Sequence, residues 1–439
     1  MCALALTLLT APSAIAQERE LEDAPPPSSI YEIEAAIDRA YPEPEIRRSL
    51  FPWISRRMQS LPPFLADTKL YLRSRTYYLR QDRASGLLSE AWAMGGSLYY
   101  RSGWLEDFFA AELEAFTAQP IVAPADRAGT RLLEEPDQKG FGVLGVANGK
   151  LRYRDFVLTG FRQYLDLPYL NRQDNRMIPN TFEAAKLAKE KGPLRFTAGY
   201  AWKFKPRDDD DFDPLSNQVG VSQARGAAFG NLLWDVSEDF SVGASGFVVP
   251  DVLATAYAET HYDLSLPDAV GLRLDAQFTH QQTVGDELIE GLDFDTWNVG
   301  LRTSASWRRA VLRLAFSITD EDHRIESPYG SNPAYINLMQ RTFTQADEKA
   351  LLVSLSYDFS GLGIEGLTTI VNFAQSWDGV VAGVRGDART IDFTADYRLG
   401  RGLIESLWLR LRASWIDVQS APQHGTDFRV ILRYELPAI

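Results

Sequence analysis

From Thr68 to the C-terminus, apolar and polar residues alternate with a period of two. Leu312, Leu314, Phe316 and Ile318 alternate with Arg313, Ala315 and Ser317. Ile391, Phe393, Ala395 and Tyr397 alternate with Asp392, Thr394, Asp396 and Arg398. Successive side chains of a strand point to opposite faces, so each run is a strand with one apolar and one polar face. Two architectures accommodate many such strands. A soluble sandwich buries the apolar faces in a core and uses strands of about 5 to 6 residues. A membrane barrel turns them to lipid and needs strands of about 9 to 11 residues. The runs here are long, and their mid-strand charges are mostly arginine. Short turns such as Ser237-Glu238-Asp239 alternate with long polar connections, among them Lys203 to Val219, with the acidic run Asp208 to Asp211, and Thr319 to Lys349. These features select an all-β, transmembrane antiparallel β-barrel over the sandwich.

Composition closes other routes. Beyond the N-terminus no stretch approaches the roughly 18 to 20 apolar residues of a membrane-spanning helix. A net charge of -14 argues against a nucleic-acid partner, which calls for a basic face. The 12% aromatic content suits a barrel with aromatic girdles. The four histidines, His261, His280, His323 and His424, stand singly, without metal-ligand spacing. Cys2 is the only cysteine and lies in a segment expected to be removed. No metal, cofactor, disulfide or thiol chemistry is therefore expected.

Residues 1–16 read as an export signal, with an apolar run from Ala3 to Leu9 and the cleavage site Ala14-Ile15-Ala16 before Gln17. The basic n-region is missing, as expected if translation starts further upstream. Residues 17–64 form an N-terminal extension of linker and short helices. Ile33, Ala36 and Ile37 keep helical spacing after Ser29, and a second helical piece is expected from Glu45 to Gln59. The extension is expected to be a periplasmic cap rather than a plug, and the barrel to occupy residues 65–439.

Five stretches, in order, resemble the OprD family of outer-membrane carboxylate channels. The first is Leu70-Tyr71-Leu72-Arg73-Ser74-Arg75-Thr76-Tyr77-Tyr78-Leu79-Arg80, similar to that family's opening strand. Lys150 to Leu158 resembles the strand entering its inward-folded third loop, and Asn175-Arg176-Met177-Ile178-Pro179 the return of that loop. Tyr357-Asp358-Phe359 followed by Gly361-Leu362-Gly363 resembles a late periplasmic turn. The closest likeness is at the end, Leu409 to Trp415 followed by Asp427 to Ile431. The resemblance spans residues 67–439. It implies about 18 strands, a Gram-negative outer-membrane location, and an arginine ladder that leads small carboxylates through a constriction.

Carried over by position, the ladder comprises Arg75, Arg152, Arg410, Arg412 and Arg429. Arg73 and Arg154 join it by facing parity, and Arg172, Arg176 and Tyr335 are assigned to the constriction loops. Guanidinium is always charged and offers paired donors that match carboxylate. Several in sequence pass an anion along without a deep trap. Arg207, in the acidic outer loop, is expected to matter much less. The chain departs from the family in its seventh outer loop, where residues 331–342 carry no acid. That weakens recognition of a substrate ammonium and favours an aromatic or apolar acid. The function expected is passive diffusion of small organic acids by a barrel embedded in outer-membrane lipid, as a monomer or loose homotrimer. The alternatives are a general non-selective porin and an exporter of an anionic polysaccharide. A barrel enzyme finds no nucleophile and base clustered in the sequence.

Overall fold

The computed structural model describes residues 49–267, 270–289, 291–399 and 407–439. The export signal and the first predicted helix lie outside the described residues.

Eighteen antiparallel strands follow one another around a closed barrel. The first four are β1 (Lys69–Asp82), β2 (Leu88–Arg101), β3 (Phe109–Val122) and β4 (Phe141–Tyr153). Next come β5 (Phe156–Gln163), β6 (Thr181–Lys189), β7 (Leu194–Lys205), β8 (Ala227–Asp235) and β9 (Phe240–Val249). They are followed by β10 (Leu253–Leu266), β11 (Val270–Thr283), β12 (Asp295–Trp307), β13 (Ala310–Thr319) and β14 (Lys349–Asp358). The last four are β15 (Leu367–Trp377), β16 (Ala388–Arg398), β17 (Trp408–Val418) and β18 (Gly425–Pro437). Each strand pairs with its sequence neighbour, and β1 closes the sheet on β18 with Tyr71 facing Pro437 and Asp82 facing Thr426. Closure removes the edges that an open sheet would expose to lipid.

The alternation read from the sequence is the alternation of the wall. Leu312, Leu314 and Phe316 of β13, Val353 and Leu355 of β14, and Ile391 and Phe393 of β16 are exposed on the outside. Exposed aromatics such as Trp234, Trp307 and Trp377 sit near strand ends, where a bilayer interface takes them.

One end of the barrel carries both the described chain start and the C-terminus, with turns as short as residues 154–155 and 308–309. The other end carries the long connections, 123–140, 164–180, 206–226 and 320–348. Lys203 to Lys205, assigned to a loop from sequence, continue β7, while the loop contains a short helical turn at Leu215–Val219. Of the helix expected over 45–59, residues 45–48 lie outside the described residues, and the described part is helical over Pro52–Met58. Before it, the Leu50 and Phe51 N–H groups donate to the carbonyls of Pro437 and Ala438, extending the chain along the end of β18.

Loops 164–180 and 320–348 fold into the lumen because apolar residues dock them on its walls. Met177 and Ile178 are buried with Tyr77, Leu79, Ala91 and Ile431 of the wall. Tyr335, Ile336 and Phe343 are buried with Ala315, Ala350, Leu352 and Ala374. The two loops are tied together by Asn171: its side chain donates to Ser331 O at 3.0 Å and accepts from Ser331 N at 2.8 Å. Gly330 is required at that seam, since a Cβ there would lie 2.6 Å from Asn171 Oδ1.

Candidate functional site: an arginine column beside a loop-lined cavity

The register of the closing strands fixes the site. On β17 the even-numbered residues face inward, and on β18 and β1 the odd-numbered ones do. Arg412 faces Arg429 directly across β17 and β18. One inward step along the strands, Arg410 faces Ile431, and the step after that brings Arg433 opposite Arg75 of β1. Arg73 faces Glu435 one step further toward the short-turn end. Each step is two residues, or about 6.6 Å. The result is a column of six inward-facing arginines.

Acids hold the forks in place. Arg410 donates through Nε and Nη2 to both oxygens of Asp396, at 2.7 and 3.0 Å, with its guanidinium 4.3 Å from the Trp408 ring centre. Arg429 donates through the same atoms to Asp427 at 2.8 and 2.7 Å. Arg73 bridges Glu435 at 2.7 Å and Glu114 at 2.9 Å. Arg75 donates to both oxygens of Asp174, at 2.6 and 2.8 Å, and to the Arg176 carbonyl. Arg75 thus anchors the inward loop. Burial alone would raise the Asp174 pKa, but Arg75 and Arg433 hold it below the usual carboxylate range. Arg412 donates to Thr394 Oγ1 at 3.2 Å.

The outer end of the column opens on a cavity of 590 Å³ between the inward loops and the wall from β12 to β18. Arg412, Arg429 and Arg176 line it, with Leu338, Met339, Leu352 and Ile370 as apolar lining and Tyr335 at its side. Arg176 donates to Thr130 O at 2.9 Å; burial, and then the neighbouring Arg429, push its pKa down to about 10. Its charge is thus maintained against both desolvation and a like charge. Asp392 is the one carboxylate among the described lining residues, and its Oδ2 accepts from Met339 N at 2.7 Å.

The structure redraws the sequence-derived set. Arg152 and Arg154 do not join the column. Arg152 pairs with Asp107 and lies 4.0 Å from the Trp104 ring centre at the short-turn end, and Arg154 is exposed in the turn between β4 and β5. Strand parity is preserved, but β4 ends at Tyr153, so both residues stand at the rim. Arg172 pairs with Asp166 and stacks on Tyr164 within its own loop, outside the cavity lining. Arg207 is buried, lines the cavity and donates to Asn175 Oδ1, so it is not peripheral. Arg433 was missed, although its alternation with Leu432 and Tyr434 places it on the face of Arg429. Among the described residues, carboxylates come close enough to share a cation at Asp209, Asp210 and Asp211, in an acidic outer run.

The family model for outer membrane porins of the OprD family matches residues 62–438. No curated protein gives a significant match. Among solved structures, OccK9 (OpdG) of Pseudomonas aeruginosa is similar at 23% identity and a TM-score of 0.79, covering 85% of this chain and 99% of its own. A BenF-like porin from Pseudomonas fluorescens Pf-5 gives 19% identity and 0.79, covering 85% and 100%. Pseudomonas aeruginosa OpdK, in a structure with vanillate, gives 22% identity and 0.77, again covering 85% and 100%. With its closed barrel, inward loops and matching family model, the chain belongs to the OprD family of outer-membrane porins, channels of the Gram-negative outer membrane.

Proposed function

We propose that this porin passes small carboxylate-bearing solutes by passive diffusion, using the arginine column as the cationic side of its path. The observation that carries the reading is the register: Arg412 opposite Arg429, then Arg410, then Arg75 opposite Arg433, at successive two-residue steps on one face. A carboxylate entering a narrow lumen sheds hydration, and forks at steps of about 6.6 Å replace it. Leu338, Met339 and Ile370 beside the column suit an acid with an apolar body. OpdK, similar in fold, has been solved with vanillate, an acid of that kind. One chain closes its own barrel, so the path needs no second copy. Reversal potentials of the purified protein in planar bilayers test the reading. Preference for anions, and for carboxylates over chloride, is expected; equal permeability to small cations and anions assigns the chain to the general porins instead.

A further inference from the structure

The column borders one end of the cavity; Arg302 of β12 and Arg313 of β13 border the other. Arg302 donates through Nε to Asp275 Oδ2 at 2.7 Å. The other oxygen of Asp275 lies 2.7 Å from His261 Nδ1, so this carboxylate is fully engaged. Arg313 is the diagonal neighbour of Arg302, since Arg302 faces Ala315 and Arg313 faces Ser304. Among the described residues, no carboxylate lies within ion-pair distance of Arg313, and its Nε is buried without a protein acceptor. Both Nη atoms of Arg302 are also without an acceptor, under the Tyr335 ring whose centre is 4.4 Å away. Buried donors without acceptors are rare in folded proteins and demand a reason.

We propose that Arg313, backed by the charge of Arg302, is a second anion subsite, and that the cavity favours acids carrying two anionic groups. The inference rests on the carboxylate reading of the column. Arg313 faces Ser354, Ser354 faces Asn372, and Asn372 faces Asp392. Arg412 lies two residues along from Ser414, the partner of Asp392. Four strand spacings, about 19 Å along the wall, separate Arg313 from Arg412, and both side chains reach inward to shorten that gap. A diacid held at Arg412 and Arg429 by one end extends the other toward Arg313. The acid between them, Asp392, is engaged by Met339 N and by the Thr390 hydroxyl, and Ser354 and Asn372 offer neutral polar groups.

The test compares block of ion current by adipate and hexanoate, acids of equal carbon number, in planar bilayers holding the full folded chain. Wild type is expected to bind adipate roughly tenfold more tightly than hexanoate. Arg313→Gln is expected to abolish that difference and to leave hexanoate block unchanged. Should Arg313→Gln fail to form a heat-modifiable barrel, Ser354→Asp, which sets a carboxylate directly opposite Arg313, probes the same subsite. Equal block by both acids in wild type, or an adipate preference that survives these changes, overturns the inference. Arg412→Gln is expected to weaken block by both acids. If it affects neither while Arg313→Gln still acts on adipate alone, the column reading falls and the second subsite stands.

Discussion

Arg412 is the residue at which charge reversal is most informative. It lines the cavity, stands in register with Arg429, and donates to a neutral hydroxyl, Thr394 Oγ1. Arg410 is less suitable, because replacing it strands the buried Asp396 that it clamps. A unit charge about 4 Å from a passing carboxylate contributes ~1 kcal/mol in bulk water and ~4 kcal/mol at an effective dielectric constant of 20. A hydrated lumen lies toward the first value, so Arg412→Gln should remove about 1 to 2 kcal/mol, a roughly 5- to 30-fold fall in anion preference. Arg412→Glu should abolish or invert it. Reversal potentials in about 0.1 M salt, where the Debye length is about 10 Å, read the effect; in 1 M salt it should shrink. The heat-modifiable shift of the barrel should be preserved in both variants. Arg385→Glu is the control, at an exposed outer-loop cation paired with Asp347 and Asp378. Equal shifts from Arg412→Glu and Arg385→Glu, or none from either, refute the reasoning.

Three further outcomes are expected. The folded-state pKa of Asp174 is depressed, so its anchoring of the inward loop is complete above the unfolded value of about 3.9 and is lost as pH falls below it through the lower folded value; current noise should rise in that window, and Asp174→Asn should show the noise at neutral pH. Val371→Arg, on the lipid face, should cost roughly 2 to 4 kcal/mol in refolding titrations, whereas Asn372→Arg, one residue along and lining the cavity, should cost far less. With the export signal kept, deletion of residues 17–48 should leave barrel assembly intact, whereas deletion of residues 17–66 should lower thermal stability, because Leu50 and Phe51 bond to the end of β18 and Phe64 stacks on Phe109 at 6.4 Å.

The strands were legible because lipid on one side and water on the other impose a two-residue period that nothing local contradicts. Arg410, Arg412 and Arg429 were legible for the same reason: parity against Leu411 and Phe428 leaves them no direction but inward. Parity does not give depth, and so Arg152 and Arg154 were placed in the lumen although the chain turns beside them. The inward loops were foreshadowed by breaks in the alternation. Leu79, Ile431 and Leu352 are apolar residues on the polar face, and each is where a loop docks. The Asn171–Ser331 clamp and the pairing of Arg302 with Asp275 had no sequence signal, since they join residues 160 and 27 positions apart through tertiary structure alone.

The acids beside the column resolve two difficulties at once. Arg412 and Arg429 face each other directly, as do Arg75 and Arg433, and like charges so placed repel. An uncompensated column would also hold an anion too tightly to release it, and conduction needs binding weak enough to leave. Asp427, Asp396, Asp174 and Glu435 each take up part of an arginine's charge, so repulsion between neighbours falls and, on the proposed function, the depth of each anion well falls with it. The same clamps fix orientation: Asp396 and Asp427 both engage Nε and Nη2, which sets the plane of each fork on the wall. On the proposed function, a net charge of -14 is therefore no obstacle to local attraction of carboxylates. Its acids shape the column instead of opposing it, and the field that matters is the one within a Debye length of the forks.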